Sequence, residues 1–261
     1  MIRGTLVAAV LALGLGAHAA HAQRLIDAGD LAKVRDLSDP QVSPDGAWIA
    51  YVVSASDTGK DHDDTDVWLA SWDGAQQIRI TRSPSGEHAP RWSPDGRWIA
   101  FLSDRDDPHE VAQLWLYNRA GGEPERLTNL PGGVSDLAWS PDGKRLVLVV
   151  SDSEPGAKAP GDTSSKAALP IVIDRYQFKE DETGWLRGQQ DHLWLYDVAT
   201  RTATQLLKGD YDEKLPSWSP DGRSIAFVSR RRPEYDRTDN YDLYVVEATP
   251  GAEPRQLTTF P

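Results

Sequence analysis

One tetrapeptide recurs four times and sets a hydroxyl two residues before a carboxylate: Ser43, Pro44, Asp45, Gly46; Ser93, Pro94, Asp95, Gly96; Ser140, Pro141, Asp142, Gly143; and Ser219, Pro220, Asp221, Gly222. A serine beside an acid suggests a nucleophile with a base, and four carboxylates suggest acid–base work. Paired catalytic carboxylates must lie within about 5–10 Å of each other. Copies held in separate repeats are too far apart for that, so a turn is the expected role. Residues 61–66, DHDDTD, offer the clustered carboxylates that calcium favours, but they lack the Gly and the distal Glu of an EF-hand loop. They are expected as a solvated acidic turn between strands, with no metal. Arg230, Arg231 and Arg232 fall in SRRRPEYDR (229–237), a charged loop whose guanidinium groups are candidates to face a pore or a peptide carboxylate.

The element that must position these groups is a repeat. Three copies extend to WSPDG, at 92–96, 139–143 and 218–222, whereas the first copy has Val42 in place of the tryptophan. Each turn is followed by an apolar run (WIAYVVS at 48, WIAFLSD at 98, RLVLVVSD at 145, SIAFVSR at 224). An aromatic-centred run and a short run ending in Leu or Ile come next. The central aromatics Trp68, Trp115, Trp194 and Tyr244 precede the aliphatics Ile80, Leu127, Leu206 and Leu257 by 12, 12, 12 and 13 residues. From each of the first three aliphatics to the next unit's Trp92, Trp139 or Trp218 is 12 residues.

Short runs of β-branched and aromatic residues bounded by Gly, Pro, Asp and Ser read as strands, and the second run, apolar on both faces, as one buried on both sides. Four strands in about 45 residues is the pattern of a propeller blade. The expected fold is all-β, a β-propeller of WSPDG-type four-stranded blades, with four units present in an incomplete ring. The units run at about 38–82, 88–130, 134–208 and 214–260 within residues 38–261. In each turn Pro presets φ, Asp suits the third position of a type I turn and Gly supplies the left-handed residue that follows. Six of ten tryptophans occupy two repeat positions, which assigns them to the core rather than to a sugar platform. Only 27–37, DAGDLAKVRDL, reads as a helix, inside a lead-in segment spanning 23–37.

Unit three departs from the pattern. From Ser140 to Trp194 is 54 residues against 22 to 25 in the other units, which places an insertion at 153–190. Residues 153–168 are small, polar and Pro/Gly-rich, as in a loop. Residues 170–188 read as a hairpin, with IVIDRYQF as a strand and KEDETG as its turn.

Residues 1–22 carry the marks of a secretory signal peptide: Arg3, an eleven-residue apolar run at 6–16 and two A-x-A sites, giving an expected mature start at Gln23. The run is too short to span a bilayer. The chain has no cysteine, which excludes disulfides, thiol nucleophiles and a lipid anchor. A net charge of -12 argues against nucleic acid and anionic membrane as partners. The expected location is periplasmic or extracellular, in soluble form. No cofactor is implied, and nothing in the sequence sets an oligomeric state.

Three stretches together resemble the N-terminal propeller of the prolyl oligopeptidase family of serine peptidases, in its acylaminoacyl-peptidase and dipeptidyl-peptidase-like branch. They are DLAKVRDLSDPQVSPDGAWIAYVVS (30–54), WSPDGRWIAFLSDR (92–105) and IVIDRYQFKEDETGWLRGQQDHLWLYDV (171–198). The resemblance covers residues 25–261 and implies a propeller that caps an α/β-hydrolase domain and admits short peptides. It carries over no catalytic residue. No serine lies in a G-x-S-x-G elbow, His62, His88, His109 and His192 have no nucleophile pattern nearby, and no adjacent Glu-Glu pair is present to hold a peptide amine. The chain alone is therefore expected to be inactive, its partners being a peptide substrate and a C-terminal hydrolase domain. The alternative expectation is a stand-alone periplasmic binding module resembling the Tol-system propeller protein.

Overall fold

The computed structural model describes residues 25–31, 33–57, 59, 62–107, 111–153, 173, 175–180, 184–185, 188–232, 235–238 and 240–259. The leader at 1–22 lies outside them, as does most of the loop at 153–168. Four four-stranded antiparallel sheets follow in chain order. The first joins β1 (Arg35–Val42), β2 (Trp48–Asp57), β3 (His62–Ser71) and β4 (Gln77–Arg79). The second joins β5 (Glu87–Trp92), β6 (Trp98–Ser103), β7 (Gln113–Asn118) and β8 (Glu125–Arg126). The third begins with β9 (Val134–Trp139) and β10 (Arg145–Ser151), and β11 (Lys179–Glu180) and β12 (Gly184–Trp185) form a hairpin of their own inside the insertion. β13 (Asp191–Asp197) and β14 (Thr202–Gln205) complete that sheet. The fourth joins β15 (Glu213–Trp218), β16 (Ser224–Ser229), β17 (Asp242–Glu247) and β18 (Arg255–Gln256).

The sheets stack as blades in an open array, with β1 beside β5, β5 beside β9 and β9 beside β15. Each junction has its own apolar core. Ala50, Val67 and Leu69 meet Trp92, Ile99 and Phe101 between blades one and two. Leu102 and Leu114 meet Leu137 and Leu148 between blades two and three, and Val147 and Leu193 meet Ile225 and Phe227 between blades three and four. A blade sandwiched on both sides has both faces of its second strand buried, as in β10, where Leu146 to Val150 are all buried. In β16 Ile225 and Phe227 are buried but Ala226 and Val228 are not, because among the described residues no sheet covers the far side of blade four. Leu243 there is 37% exposed, whereas its repeat equivalents Leu114 and Leu193 are fully buried.

The repeat tryptophans fix the spacing of neighbouring blades. The Nε1–H of Trp92 donates to the Gln41 carbonyl at 3.0 Å, that of Trp139 to Arg91 at 3.1 Å and that of Trp218 to Ala138 at 3.1 Å. Each acceptor immediately precedes the same repeat position one blade earlier, so the indole both fills the junction and sets its register. In the first unit Val42 stands at this position.

Three local expectations change. The helix covers only Ala28–Leu31, and β1 starts at Arg35, paired with Ala55 of β2. Leu31, Val34 and Leu37, the apolar residues at helical spacing within 27–37, are all more than 60% exposed. With nothing to bury that stripe, pairing with β2 is the better use of the backbone. DHDDTD is not a turn, since His62 to Asp66 lie in β3. In the insertion the paired residues are Lys179 with Trp185 and Glu180 with Gly184, so the hairpin tip falls within the supposed turn, and the described residues of IVIDRYQF are not strand. Phe178 stacks on Trp185 with centroids 5.9 Å apart, which gives this short ladder its apolar contact.

Replacing Trp139 by Phe would keep most of the buried ring but leave the Arg91 carbonyl without its donor. Urea unfolding is expected to show a loss of about 1 kcal/mol, and an unchanged midpoint would remove the indole bond from the account of blade spacing.

Candidate functional site

The SPDG turns lie on one rim of the array, each linking a blade's first and second strands. In all four the serine Oγ donates to the aspartate Oδ1, at 2.5, 2.6, 2.7 and 2.6 Å for Ser43, Ser93, Ser140 and Ser219. The same Oδ1 accepts the backbone N–H two residues on, and the serine Oγ accepts the N–H five residues on. The glycines sit at φ of 68° to 69°, in the left-handed region that only Gly enters without strain. The serine hydroxyl bond holds each of Asp45, Asp95, Asp142 and Asp221 below the usual carboxylate range. A carboxylate ionised in this way and shared with its own turn has no proton to give near neutral pH, and its serine hydroxyl is already committed. Residues 71–74, Ser-Trp-Asp-Gly, form a fifth such turn between β3 and β4, with Ser71 Oγ 2.6 Å from Asp73 and Gly74 at φ 73°. The S-x-D-G spacing was there to be read.

The opposite rim carries the polar chemistry. Two residues before each central aromatic stands a buried polar side chain: Asp66, Gln113, His192 and Asp242. In three blades a threonine of the outer run serves it. Thr81, Thr128 and Thr258 accept the N–H of Val67, Leu114 and Leu243 at 2.9 Å, and each donates to Asp66, Gln113 or Asp242. Arg79 closes the first network by pairing with Asp66 at 2.5 Å and Asp64 at 3.3 Å. The recurrent Thr after the outer aliphatic was the sequence signal for this device.

Blades three and four add to this rim a cluster centred on His192 and Glu213. His192, 3% exposed, places Nδ1 3.0 Å from Glu213 and Nε2 3.7 Å from Asp152. Glu213 is fully buried, and its second oxygen takes a hydrogen bond from Arg231. The Arg231 guanidinium lies among Tyr211, Phe227 and Tyr244, 5.2 to 5.7 Å from their ring centroids. Arg232 pairs with buried Asp242 at 3.0 Å, while Arg230 stacks over Tyr241 at 4.8 Å and reaches the Thr238 carbonyl. The arginine run is thus brought to this rim, with Arg231 and Arg232 bound to buried acids.

The foot of the insertion is fixed here too. Asp152 N–H donates to the Gln190 carbonyl at 2.8 Å, Asp152 Oδ2 accepts from Gln190 N–H, and Asp191 N–H donates to Asp212. Gly132 passes so close that a Cβ on it would lie 1.6 Å from the Ser151 carbonyl oxygen. Farther out, Tyr176 N–H donates to Asp236 of the blade-four loop at 2.5 Å. Among the described residues no group of three or more His, Asp or Glu is arranged to hold a metal ion. Chemically the arrangement anchors a long insertion beside the inner strands; it does not assemble a nucleophile.

Two measurements test the anchor. Burial works against a charged His192, but the hydrogen bond and charge of Glu213, aided by Asp152 and Asp212, prevail and raise its pKa above the ordinary 6.5. The resulting stabilisation is complete below the unfolded-state pKa and is lost as pH rises through the higher folded value. Stability from urea unfolding should therefore fall more steeply as pH rises above 6.5 in the native chain than in His192→Gln, and parallel profiles would refute the link. Gly132→Ala should cost about 1–3 kcal/mol, because the clash is with backbone, and should speed proteolysis within 153–190. Native-like stability and proteolysis would show that the approach is not tight.

Residues 31–167 match the family described as the TolB beta propeller domain. The uncharacterized peptidase YuxL of Bacillus subtilis (strain 168) is 32% identical over 225 residues, 86% of this chain and 34% of that protein. Dipeptidyl-peptidase 5 of Porphyromonas gingivalis is 32% identical over 231 residues, 82% of this chain and 33% of that protein. In fold the chain is similar to the acylaminoacyl peptidase of Pyrococcus horikoshii, with a TM-score of 0.63 over 87% of this chain and 33% of that one, at 19% identity. The chain spans about a third of the length of each of these proteins. Its curated relatives are peptidases, as the lead-in segment and the insertion led one to expect, and the chain belongs to the TolB beta-propeller domain family.

Proposed function

We propose that this chain is the propeller portion of an exported serine peptidase acting on peptides, where it restricts access to, and docks against, a catalytic α/β-hydrolase domain. The observation that carries the reading is its 32% identity, over more than four-fifths of its length, to two proteins named as peptidases. The anchored insertion and the arginine run, set together on one rim, supply polar groups for contact with a peptide or with the hydrolase. Export rests on the leader at 1–22. The chain supplies shape and contacts, and the nucleophile belongs to the other domain.

A second reading, a stand-alone envelope binding module, draws support from the TolB description of the matching family. The two are separated by assaying residues 23–261 as a purified chain. Acyl-peptide and dipeptide substrates should stay intact, and hydrolysis abolished by a serine-directed inhibitor would overturn the proposal. Stoichiometric capture of an envelope protein by the monodisperse chain would favour the second reading instead.

A further inference from the structure

A cleft of about 470 Å³ lies between blades one and two. Arg79, Arg82 and the residues between them line one wall, where the chain leaves β4; Arg105, Tyr117 and the turn at 122–124 line the other. The lining comes from the outer strands and their connections, so the cleft opens on the outer flank, apart from the inner wall where β1, β5, β9 and β15 meet.

Its charge is opposite to that of the chain. Three arginines face one acidic lining residue, Glu123, in a protein of net charge -12. Arg79 is largely neutralised by Asp64 and Asp66. Arg82 and Arg105 are not: among the described residues no ion pair holds either one. Arg82 is exposed. Arg105 sits over the Trp115 ring, its guanidinium carbon 4.0 Å from the ring centroid, a contact that restrains the group. Its Nε is buried without an acceptor. A restrained guanidinium with an unmatched donor, beside a second unpaired arginine, fits a group that offers two or more oxygens and a negative charge.

We infer that this cleft binds a small oxyanion, a carboxylate or a phosphate, between Arg82 and Arg105. The site does not rest on the peptidase reading, since both residues belong to blades one and two, away from the His192 cluster and the foot of the insertion. Calorimetric titration of residues 23–261 with citrate and, separately, with inorganic phosphate at low ionic strength tests it. Saturable one-site binding of either is expected, weakened about tenfold or more in Arg82→Ala. Binding of citrate alone would assign the site to carboxylates, and of phosphate alone to phosphoryl groups. Arg105→Gln should abolish binding; if that variant does not fold, Arg82→Ala, at an exposed position and checked by its urea midpoint, decides alone. No saturable binding of either anion, or binding unchanged in Arg82→Ala, overturns the inference.

Discussion

A four-stranded sheet whose second strand is apolar on both faces must be covered on both sides, and most of this structure follows from that requirement. Phe101 and Leu102 are adjacent in sequence, point to opposite faces of β6 and are both fully buried, one in the core with blade one and the other in the core with blade three. Neither residue could be accommodated by an isolated sheet. The indole bonds of Trp92, Trp139 and Trp218 turn this general need for cover into a particular spacing, because each reaches one defined carbonyl on the neighbouring inner strand. Apolar burial supplies the drive and the hydrogen bond supplies the register.

The two rims divide the remaining work. On the SPDG rim each turn satisfies its own serine hydroxyl and aspartate Oδ1, and Arg119 and Arg145 reach from one blade to the turn of another, so the connections are short and alike. On the other rim the polar groups are satisfied between elements far apart in sequence, as when Arg231 reaches Glu213 and His192 reaches both Glu213 and Asp152. Such networks tolerate long loops, and this is the rim on which the insertion is found. Blade two shows what the network lacks when its partners differ. Glu87 stands where Glu213 stands in blade four, but Asp66 of blade one stands where His192 stands in blade three, and burial raises the Glu87 pKa against the hydroxyls of Ser83, Thr81 and Ser103, which favour its charge.

Much of the fold was legible because repetition averages out local ambiguity. Four copies of a turn and constant 12-residue gaps identify blades even where one strand has only two residues. What stood once was harder to read. Residues 27–37 have a helical period, but Leu31, Val34 and Leu37 find no surface, and only tertiary context reveals that. DHDDTD looks like a turn by composition, yet β2 offers it a ten-residue partner. At the candidate site the arginine run and His192 were visible as residues, but their pairing was not. Glu213 lies 21 residues from His192 and 18 from Arg231, and no local pattern connects them. Arg82 and Arg105 were never conspicuous, since their meeting depends on the packing of two blades.

The inner strands contain one more repeated irregularity. Asp39, Ala89 and Leu215 adopt φ of 47° to 53°, each just before a proline, Pro40, Pro90 or Pro216, and each at a break in the ladder with the second strand. For residues other than glycine this geometry costs on the order of 1–2 kcal/mol apiece, so its recurrence in three blades needs a counterweight. These strands are the inner edges of their sheets, where unpaired backbone would invite a foreign strand to add itself. A bend and a missing N–H on each edge make it a poor template. The strain thus acts as protection against aggregation: it keeps the inner wall of the array from recruiting another strand.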